Sequence, residues 1–424
     1  MRSRSARILS AVLATAVLGA LATGAGATVL PAPRAAADAV RDRQYWLDEY
    51  GIRAAWEVTR GAGVSIAIID SGVDDGHPDL RGAVVDGIDV SGVGDSDGTR
   101  PVGSERPDHG TMVASLAAGR GSGPDAGVIG AAPEADLLSA SLAFGPQTRD
   151  GDVQVAEAVR WAVDAGSDVI SLSLTRNTTA WPESWDDAFG YAERNDVIVI
   201  AAAGNRGSGT DQVGAPATIP GVLTVGGVSR TGAASDAASS QGISISVVAP
   251  SEQLVGAVPG DGHVLWQGTS GATPIVAGIA ALVRAAHPEE TAAQVIQRII
   301  STARPVTSVV PDPLYGYGLI DAAAAVTAPK PTVTANPLGS LERWIAVNRR
   351  ADAGETVLEL PAPASPFGRT ADPLFDAPGA IVLSAAATLA PLLPLGIALH
   401  LGGLLVLGSV IAAAVSFSRH RHTG

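Results

Sequence analysis

The 424-residue sequence contains no cysteine. This absence excludes a disulfide framework, a thiolate metal site and a cysteine nucleophile. Positive charge is also in short supply, and the formal net charge of -14 argues against nucleic acid as a partner. Charged residues make up only 17% of the chain, apolar residues make up 46%, and the mean hydropathy is +0.25. A chain this apolar is not disordered throughout, and we expect part of it to lie in lipid or to be removed.

The N-terminus has the pattern of a secretory signal peptide, which we place at residues 1–37. Three arginines precede an uncharged apolar run at residues 8–21. Small residues suited to cleavage end at position 27 and again at position 37, and we favour the second site. An uncleaved N-terminal anchor is the alternative, although the run is short for a membrane span. Export of a chain without cysteine fits a bacterial protein.

A second apolar block lies at the C-terminus, where residues 379–418 contain no Asp, Glu, Lys or Arg. Residues 396–417 alone are long enough to span a bilayer. The basic tail at 419–424 predicts a cytoplasmic C-terminus, with the bulk of the protein outside the cell membrane. Residues 379–395 carry two prolines and could form a second span, an interfacial helix or a kinked extension. We expect one C-terminal transmembrane helix, the alternative being a buried pair of core helices.

Prolines recur through residues 326–378, which we predict to be an extended, semi-rigid tether. A short helix is possible within it at residues 341–350. The tether would hold the folded part of the chain, residues 38–325, away from the membrane surface.

Residues 38–325 alternate short β-branched runs with helical patterns. The predicted strands are residues 64–69, 136–141, 168–174, 197–202 and 222–228, and the predicted helices are 109–119, 153–165 and 270–287. Strands that are apolar almost throughout are covered on both faces. This order predicts a three-layer α/β fold with a mostly parallel central sheet. The acidic, glycine-rich stretch 86–108 is predicted to be a surface loop.

Functional groups in such sheets lie at the carboxyl ends of the strands. Asp70 ends the first predicted strand, and Asn205 follows the fourth. His109 opens one helix, and Ser270 opens another that is apolar and flanked at its start by glycines. Each residue alone has an ordinary structural explanation, as a turn or a helix cap.

Together these residues resemble the subtilisin-like serine proteases, in which the chain order is Asp, His, Ser. The resemblance covers about residues 40–325. It rests on the motifs Asp70-Ser71-Gly72, His77-Pro78-Asp79-Leu80, His109-Gly110-Thr111 and Gly268-Thr269-Ser270 with Pro274. It implies a subtilisin-like fold and the hydrolysis of peptide bonds in protein or peptide substrates through an acyl-enzyme intermediate.

The resemblance also implies the role of each residue. Ser270 would attack the scissile carbonyl, and His109 would take its proton and pass it to the leaving amine. Asp70 would fix the tautomer of the imidazole and stabilise its charged form. The side-chain amide of Asn205 and the backbone N–H of Ser270 would donate hydrogen bonds to the oxyanion.

The same resemblance implies where the substrate binds. Ser173 and Leu174 would lie along the peptide and pair with its backbone. Ala203 and Gly204 would form part of the wall of the S1 pocket, which holds the side chain before the scissile bond. Thr175 stands where a glycine often follows Ser-Leu in the family, so the shape of that pocket is expected to differ.

No cofactor is expected. Asp79 matches a family position that can ligate calcium, but the six or more oxygens that calcium needs are not evident in the sequence. An ordinary turn or cap carboxylate is the alternative for Asp79.

The segment Arg41-x-x-Gln44-x-Trp46-Leu47, together with the signal, the tether and the C-terminal span, resembles the mycosins. These are membrane-anchored subtilases associated with type VII secretion in actinobacteria. The resemblance implies secretion-system membrane proteins as partners. A structural scaffold in which proteolysis is secondary, and a general cell-surface protease, are the alternatives.

Overall fold

The computed structural model describes residues 39–103 and 106–349. Its strands are β1 (Ser65–Asp70), β2 (Val84–Asp89), β3 (Asp136–Ser141), β4 (Val169–Leu172), β5 (Ile198–Ala202), β6 (Leu223–Val228), β7 (Ile245–Pro250), β8 (Leu254–Val258) and β9 (Gly262–Trp266). Its α-helices are α1 (Trp46–Glu49), α2 (Ile52–Ala55), α3 (His109–Ala118), α4 (Gly151–Asp164), α5 (Glu183–Arg194), α6 (Thr269–Ala286), α7 (Ala292–Thr302), α8 (Ala322–Thr327) and α9 (Leu341–Asn348). Short 3₁₀ helices lie at Arg41–Arg43 and Arg206–Ser208.

Seven strands form one sheet in the order β2-β3-β1-β4-β5-β6-β7, and every neighbouring pair is parallel. All residues of β4, β5, β6 and β7 are buried, as expected for strands covered on both faces. Strands β8 and β9 form a separate antiparallel hairpin. The predicted α/β fold with a parallel sheet is confirmed.

The five predicted strands are present, with ends that differ by no more than two residues. Strands β2, β7, β8 and β9 were not predicted. The expected surface loop at 86–108 is wrong in its first four residues, which belong to β2. β2 is an edge strand in which every residue is exposed or half-exposed. Since it buries no side chain fully, its sequence shows no strong apolar pattern.

Helices α3 and α6 pack against each other, and α6 contacts strands β4 to β7. Helices α4 and α5 also pack against each other. Within the described ranges, α6 is the one helix long and apolar enough to cross a membrane, and 78% of it is buried in the protein. It is therefore a core helix. The predicted signal peptide and C-terminal span lie outside the described residues.

The beginning of the predicted tether is folded onto the domain. The amide of Asn336 donates to the carbonyl oxygen of Gly221 at 2.9 Å. Helix α9 packs on α5, with Leu341 only 1% exposed and the rings of Trp344 and Trp181 4.6 Å apart. The structure thus corrects the predicted domain boundary at 325, because packing continues to residue 349. The predicted helix at 341–350 is confirmed, and the remaining tether, residues 350–378, lies outside the described part.

A buried ion pair joins α7 to the turn before it. The guanidinium of Arg298 donates to both carboxylate oxygens of Glu290 at 2.6 Å, and both side chains are at most 1% exposed. Arg298 also donates to the carbonyl oxygen of Ala328. Hydrogen bonding to Arg298 lowers the pKa of Glu290, because it favours the charged carboxylate.

Candidate active site

An Asp–His pair lies at the carboxyl end of β1. Nδ1 of His109, the first residue of α3, is 2.8 and 2.9 Å from the two carboxylate oxygens of Asp70. Asp70 is the last residue of β1 and is 6% exposed. Its Oδ1 also accepts the backbone N–H of Ser71 at 2.7 Å. The carboxylate therefore holds the imidazole with Nδ1 protonated and Nε2 free to accept a proton.

Two glycines allow β1 and α3 to approach this closely. A Cβ atom on Gly110 would lie 2.3 Å from the carbonyl oxygen of Gly72, and Gly72 has a φ of +91°. The hydroxyl of Ser71 accepts the N–H of Gly110 at 2.9 Å and donates to the carbonyl oxygen of Pro107 at 3.1 Å. The spacing of Asp70 and His109 thus rests on backbone contact between their two motifs.

Ser270 lies in the first turn of α6, where the positive end of the helix dipole favours negative charge. Its hydroxyl donates to the carbonyl oxygen of Ser173 at 3.3 Å, and the hydroxyl of Ser173 donates to the carbonyl oxygen of Ser270 at 2.9 Å. In the described structure the Ser270 hydroxyl therefore bonds to the end of β4 and not to His109. Catalytic hydrogen bonds are often long or misaligned before substrate binds.

The side chain of Asn205 has a defined orientation. Its Oδ1 accepts the backbone N–H of Thr269 at 2.8 Å and the Thr269 hydroxyl at 3.1 Å. The hydroxyl of Thr269 also bonds to the backbone of Gly204. Because the amide oxygen is occupied, the NH₂ group of Asn205 is left free as a donor beside the start of α6.

A cleft of about 510 Å³ opens beside the Asp–His pair. Ser173 and Leu174 line it together with Asp70 and His109, as the sequence predicts for a substrate cleft. The remaining lining residues are Ser71, Val102, Gly103, Arg106, Leu142, Ala143, Phe144 and Gly145. The cleft is mainly apolar, which suits an extended peptide with apolar side chains.

The other predicted substrate residues lie outside this cleft. Ala203 is fully buried, and Gly204 lies against Thr269 with a φ of +101°. Thr175 donates its hydroxyl to the carbonyl oxygen of Arg176 at 3.2 Å and is half-buried. Neither Ala203 nor Gly204 lines the described cleft, so their role in an S1 wall stays a prediction.

Sequence reasoning missed three contributors to the site. Thr269 orients Asn205, although it was recognised only as part of the serine motif. Trp266 packs edge-on against His109, with ring centroids 5.8 Å apart. Phe144 lines the cleft while 59% exposed. An aromatic residue in a polar loop was the available signal for Phe144, whereas Trp266 belongs to an unpredicted strand.

Asp79 does not have the surroundings of a calcium ligand. Its Oδ2 accepts the N–H of Val128 at 2.7 Å and contacts Nε2 of His263 at 2.6 Å. Nitrogen donors suit a hydrogen-bonding carboxylate, whereas calcium needs six or more oxygens. Because Oδ2 is bonded to nitrogen groups and the carbonyl oxygen of neighbouring Gly127 accepts a hydrogen bond from Arg41, the residues around Asp79, as they stand, do not fit the calcium site that the family resemblance allowed.

The pKa of His109 is raised above its ordinary 6.5. Burial lowers this pKa, but the charge and the hydrogen bond of Asp70 more than offset that effect. If His109 is the general base, as the family resemblance implies, catalysis needs its neutral form, and kcat/KM should fall as the pH decreases through a pKa above 6.5. In Asp70→Asn, His109 stays buried but loses the neighbouring charge, so its pKa should fall. The acid limb of the pH profile, where activity is lost as the pH decreases, should therefore move to lower pH, and kcat should fall by about 10⁴-fold. The pH profile of peptide hydrolysis measures both effects.

Asp187→Asn is the matched control, because this carboxylate is 85% exposed and forms only a loose surface pair. It should leave the acid limb in place. An acid limb that Asp70→Asn does not move would contradict the assignment of the limb to His109.

Fold and site together define a class. A parallel α/β sheet presents an Asp–His pair at the end of an inner strand and a serine at the start of a core helix, as serine hydrolases do. Comparison with known proteins is more specific. The chain belongs to the subtilase family, whose model matches residues 61–318.

Two curated relatives illustrate this membership. Subtilisin E of Bacillus subtilis (strain 168) is 37% identical over 272 residues, which cover 62% of this chain and 66% of subtilisin E. An intracellular serine protease of Paenibacillus polymyxa is 34% identical over 237 residues, covering 54% of this chain and 69% of that protein. The chain thus spans about two thirds of the length of each.

Solved structures include proteins similar to about 70% of this chain. MycP1 from the ESX-1 type VII secretion system matches with a TM-score of 0.58 and 29% identity, covering 70% of this chain and 88% of that one. MycP1 from Mycobacterium smegmatis matches with a TM-score of 0.58, 30% identity and coverages of 71% and 88%. Fervidolysin from Fervidobacterium pennivorans matches with a TM-score of 0.60 and 28% identity, over 70% of this chain and 48% of fervidolysin. The resemblance to subtilases and mycosins is confirmed.

Proposed function

We propose that this chain is a serine endopeptidase whose catalytic triad is Asp70, His109 and Ser270. The observation that carries the proposal is the hydrogen-bonded Asp70–His109 pair in a cleft whose wall, at Ser173, is bonded to Ser270. A fluorophosphonate probe, which reacts with an activated serine, tests it. The folded full-length chain should be labelled once, at Ser270, and a chain that is not labelled would contradict the proposal.

The proposed reaction proceeds in two stages. When a peptide occupies the cleft, the Ser270 hydroxyl turns from the Ser173 carbonyl to Nε2 of His109. His109 takes the hydroxyl proton as Oγ attacks the scissile carbonyl, and it then gives that proton to the leaving amine. Asp70 stabilises the imidazolium formed in between. Water, activated by His109, hydrolyses the acyl-enzyme and frees Ser270.

The oxyanion of each tetrahedral intermediate would receive two hydrogen bonds. One comes from the backbone N–H of Ser270 and the other from the free NH₂ group of Asn205. Thr269 fixes Asn205 before substrate arrives, so little reorganisation is needed during the reaction.

Asn205→Asp tests this role. The aspartate keeps the acceptor that bonds to Thr269 but removes the NH₂ donor, so the fold should be retained. We expect kcat to fall by at least about 10²–10³-fold, the loss seen when one oxyanion donor is removed from a subtilisin, with KM little changed. Steady-state kinetics on a peptide substrate measure kcat and KM separately.

Asn195→Asp is the control for the Asn205 experiment. Asn195 caps α5, where its amide donates to the carbonyl oxygen of Tyr191. Its replacement should leave kcat unchanged. An Asn205→Asp enzyme with normal kcat would remove Asn205 from the proposed oxyanion site.

We further propose that the protease is mycosin-like: exported, held by one C-terminal membrane helix with its catalytic domain outside the cell, and linked to type VII secretion. The apolar N- and C-terminal segments of the sequence support the topology. The structural likeness to MycP1, a protein described as part of a type VII system, supports the secretion link. Neighbouring genes for secretion components would add to that support.

Complementation of a deletion strain tests this physiological role. Loss of secretion in the strain, restored by the wild-type chain, is the expected result, whereas normal secretion would overturn the link. Restoration by Ser270→Ala as well would identify a scaffold role in which proteolysis is secondary. Membrane fractionation of chains with and without residues 379–424 tests the anchor, which should be lost with that segment.

A further inference from the structure

A buried arginine lies where the loop at residues 121–129 meets the beginning of the described chain. Arg41 is 6% exposed. Its Nε donates to the carbonyl oxygen of Gly127 at 3.0 Å, and its Nη2 donates to that of Ala126 at 2.7 Å. Two successive backbone carbonyls of the loop are therefore directed at one positive charge.

A buried carboxylate lies against Gly127, one of these two residues. Asp79 is fully buried, and its Oδ1 has no hydrogen-bond partner among the described residues. A Cβ atom on Gly127 would lie 1.9 Å from this oxygen, so the carboxylate touches the residue whose carbonyl binds Arg41. The φ of Gly127 is +69°, which also favours glycine there. The other oxygen, Oδ2, accepts the N–H of Val128 and contacts His263, so it is Oδ1, against Gly127, that a nearby positive charge would stabilise.

Backbone carbonyls and a carboxylate are the ligands that calcium selects. Asp79 is also the position at which the family resemblance allows a calcium ligand. Here the carbonyl oxygens of Ala126 and Gly127 already accept hydrogen bonds from a guanidinium, which stays charged at every physiological pH. We propose that Arg41 is a built-in cation that takes the place of a structural calcium ion in this loop, so that the fold needs no metal there.

Gln44 strengthens the same attachment. Its Nε2 donates to the carbonyl oxygen of Ile129 at 2.7 Å, and its Oε1 accepts the N–H of Ile129 at 2.9 Å. The segment 41–44 is thus fixed to the loop at two points. The loop follows α3, which carries His109, and the N–H of Arg120 bonds to the carbonyl oxygen of Asp79 at 2.6 Å. Removal of the cation should loosen the region next to the catalytic histidine.

A latent metal site follows from this arrangement. In Arg41→Ala, the carbonyl oxygens of Ala126 and Gly127 and the carboxylate of Asp79 would face a space without a cation. The space left by the guanidinium, together with water, suits a calcium ion. Calcium should therefore stabilise the variant but not the parent chain.

Thermal unfolding of the full-length chain tests the proposal, with Ser270→Ala present throughout to prevent self-cleavage. The parent should have the same Tm in EDTA and in millimolar calcium chloride. Arg41→Ala should lower the Tm in EDTA by about 4–8 °C, the loss expected for two charged hydrogen bonds in a domain of this size. Calcium should restore part of that loss. Arg43→Ala is the matched control, since Arg43 is exposed, and should change the Tm by about 1 °C at most.

Three results would overturn the proposal: a parent chain that calcium stabilises through Asp79, an Arg41→Ala chain with unchanged Tm, or an Arg41→Ala chain that calcium does not restore. The first is decided by calorimetric titration of calcium into the parent and into Asp79→Asn. That titration needs no Arg41 variant, so the proposal stays falsifiable if Arg41→Ala does not fold. Heat from calcium binding that disappears in Asp79→Asn would show that the loop holds a metal despite Arg41.

Discussion

Replacement of Ser270 by alanine is expected to lower kcat for peptide hydrolysis by about 10⁶-fold, the loss known for removal of the nucleophile from a subtilisin. The physical reason is that the alanine variant has no nucleophile at position 270. The neighbouring carbonyl oxygen of Ser173, which accepts the hydrogen bond of the Ser270 hydroxyl, cannot attack an amide in its place. Residual hydrolysis would come from the oxyanion donors and from substrate positioning. Labelling by a fluorophosphonate should disappear completely.

The fold should survive this substitution, because the hydroxyl makes one hydrogen bond of 3.3 Å and the α6 backbone is unaffected. Far-ultraviolet circular dichroism and the Tm therefore serve as checks. Ser184→Ala, an exposed serine on α5, is the control and should keep full activity. Activity that persists in Ser270→Ala would mean that another residue is the nucleophile.

Replacement of Arg298 by methionine should destabilise the protein more than any surface substitution, by about 3–5 kcal/mol in free energy of unfolding. Methionine fills much of the volume but leaves the carboxylate of Glu290 buried without its partner. Chemical denaturation at neutral pH, with Ser270→Ala present to prevent self-cleavage, measures the change.

The loss should depend on pH in a defined direction. Because Arg298 lowers the pKa of Glu290, the stabilisation is present above the ordinary pKa of 4.5 and is lost as the pH falls through the lowered value. The difference in free energy of unfolding between the parent and Arg298→Met should therefore become smaller as the pH falls. Arg298→Met combined with Glu290→Leu should recover most of the lost stability, since no buried charge remains.

Arg194→Met is the surface control for Arg298→Met. The Arg194–Glu342 pair has a similar length, 2.8 Å, but both side chains are about half exposed. Loss of this surface pair should lower the free energy of unfolding by no more than about 1 kcal/mol. Equal effects at Arg194 and Arg298 would show that burial of the pair does not control its contribution.

Most of the parallel core could be predicted because several of its strands are apolar almost throughout, although the buried strand β7 was not predicted. β5 and β6 are buried at every position. β5 therefore appears in the sequence as an uninterrupted apolar run, and β6 has a single polar residue, Thr224. The edge strand β2 could not be predicted in this way, since half of its residues are Asp or Gly. β2 is held in the sheet by its pairing with β3, a tertiary contact that the hydrophobic pattern of β2 does not indicate.

The pairing of Asp70 with His109 could be predicted from their motifs, whereas the backbone contacts that set its geometry could not. Asp70 and His109 were recognisable from their glycine-flanked motifs, but the approach of Gly110 to Gly72 joins chain segments far apart in sequence. The attachment of Arg41 to Ala126 and Gly127 is equally non-local. The burial of Arg41 depends on this distant loop, so the sequence around Arg41 does not indicate it.

The packing of α9 on α5 decides where the catalytic unit can be cut. A chain ending at residue 325 would lose Leu341 and Trp344 and expose the apolar surface that they cover, including Trp181. We expect such a chain to aggregate through this exposed apolar surface. A chain ending at residue 349 keeps this layer and the stacking of Arg349 on both tryptophans. Proteolytic release after that point would therefore give a free enzyme with its core intact, whereas release before α9 would give a damaged one.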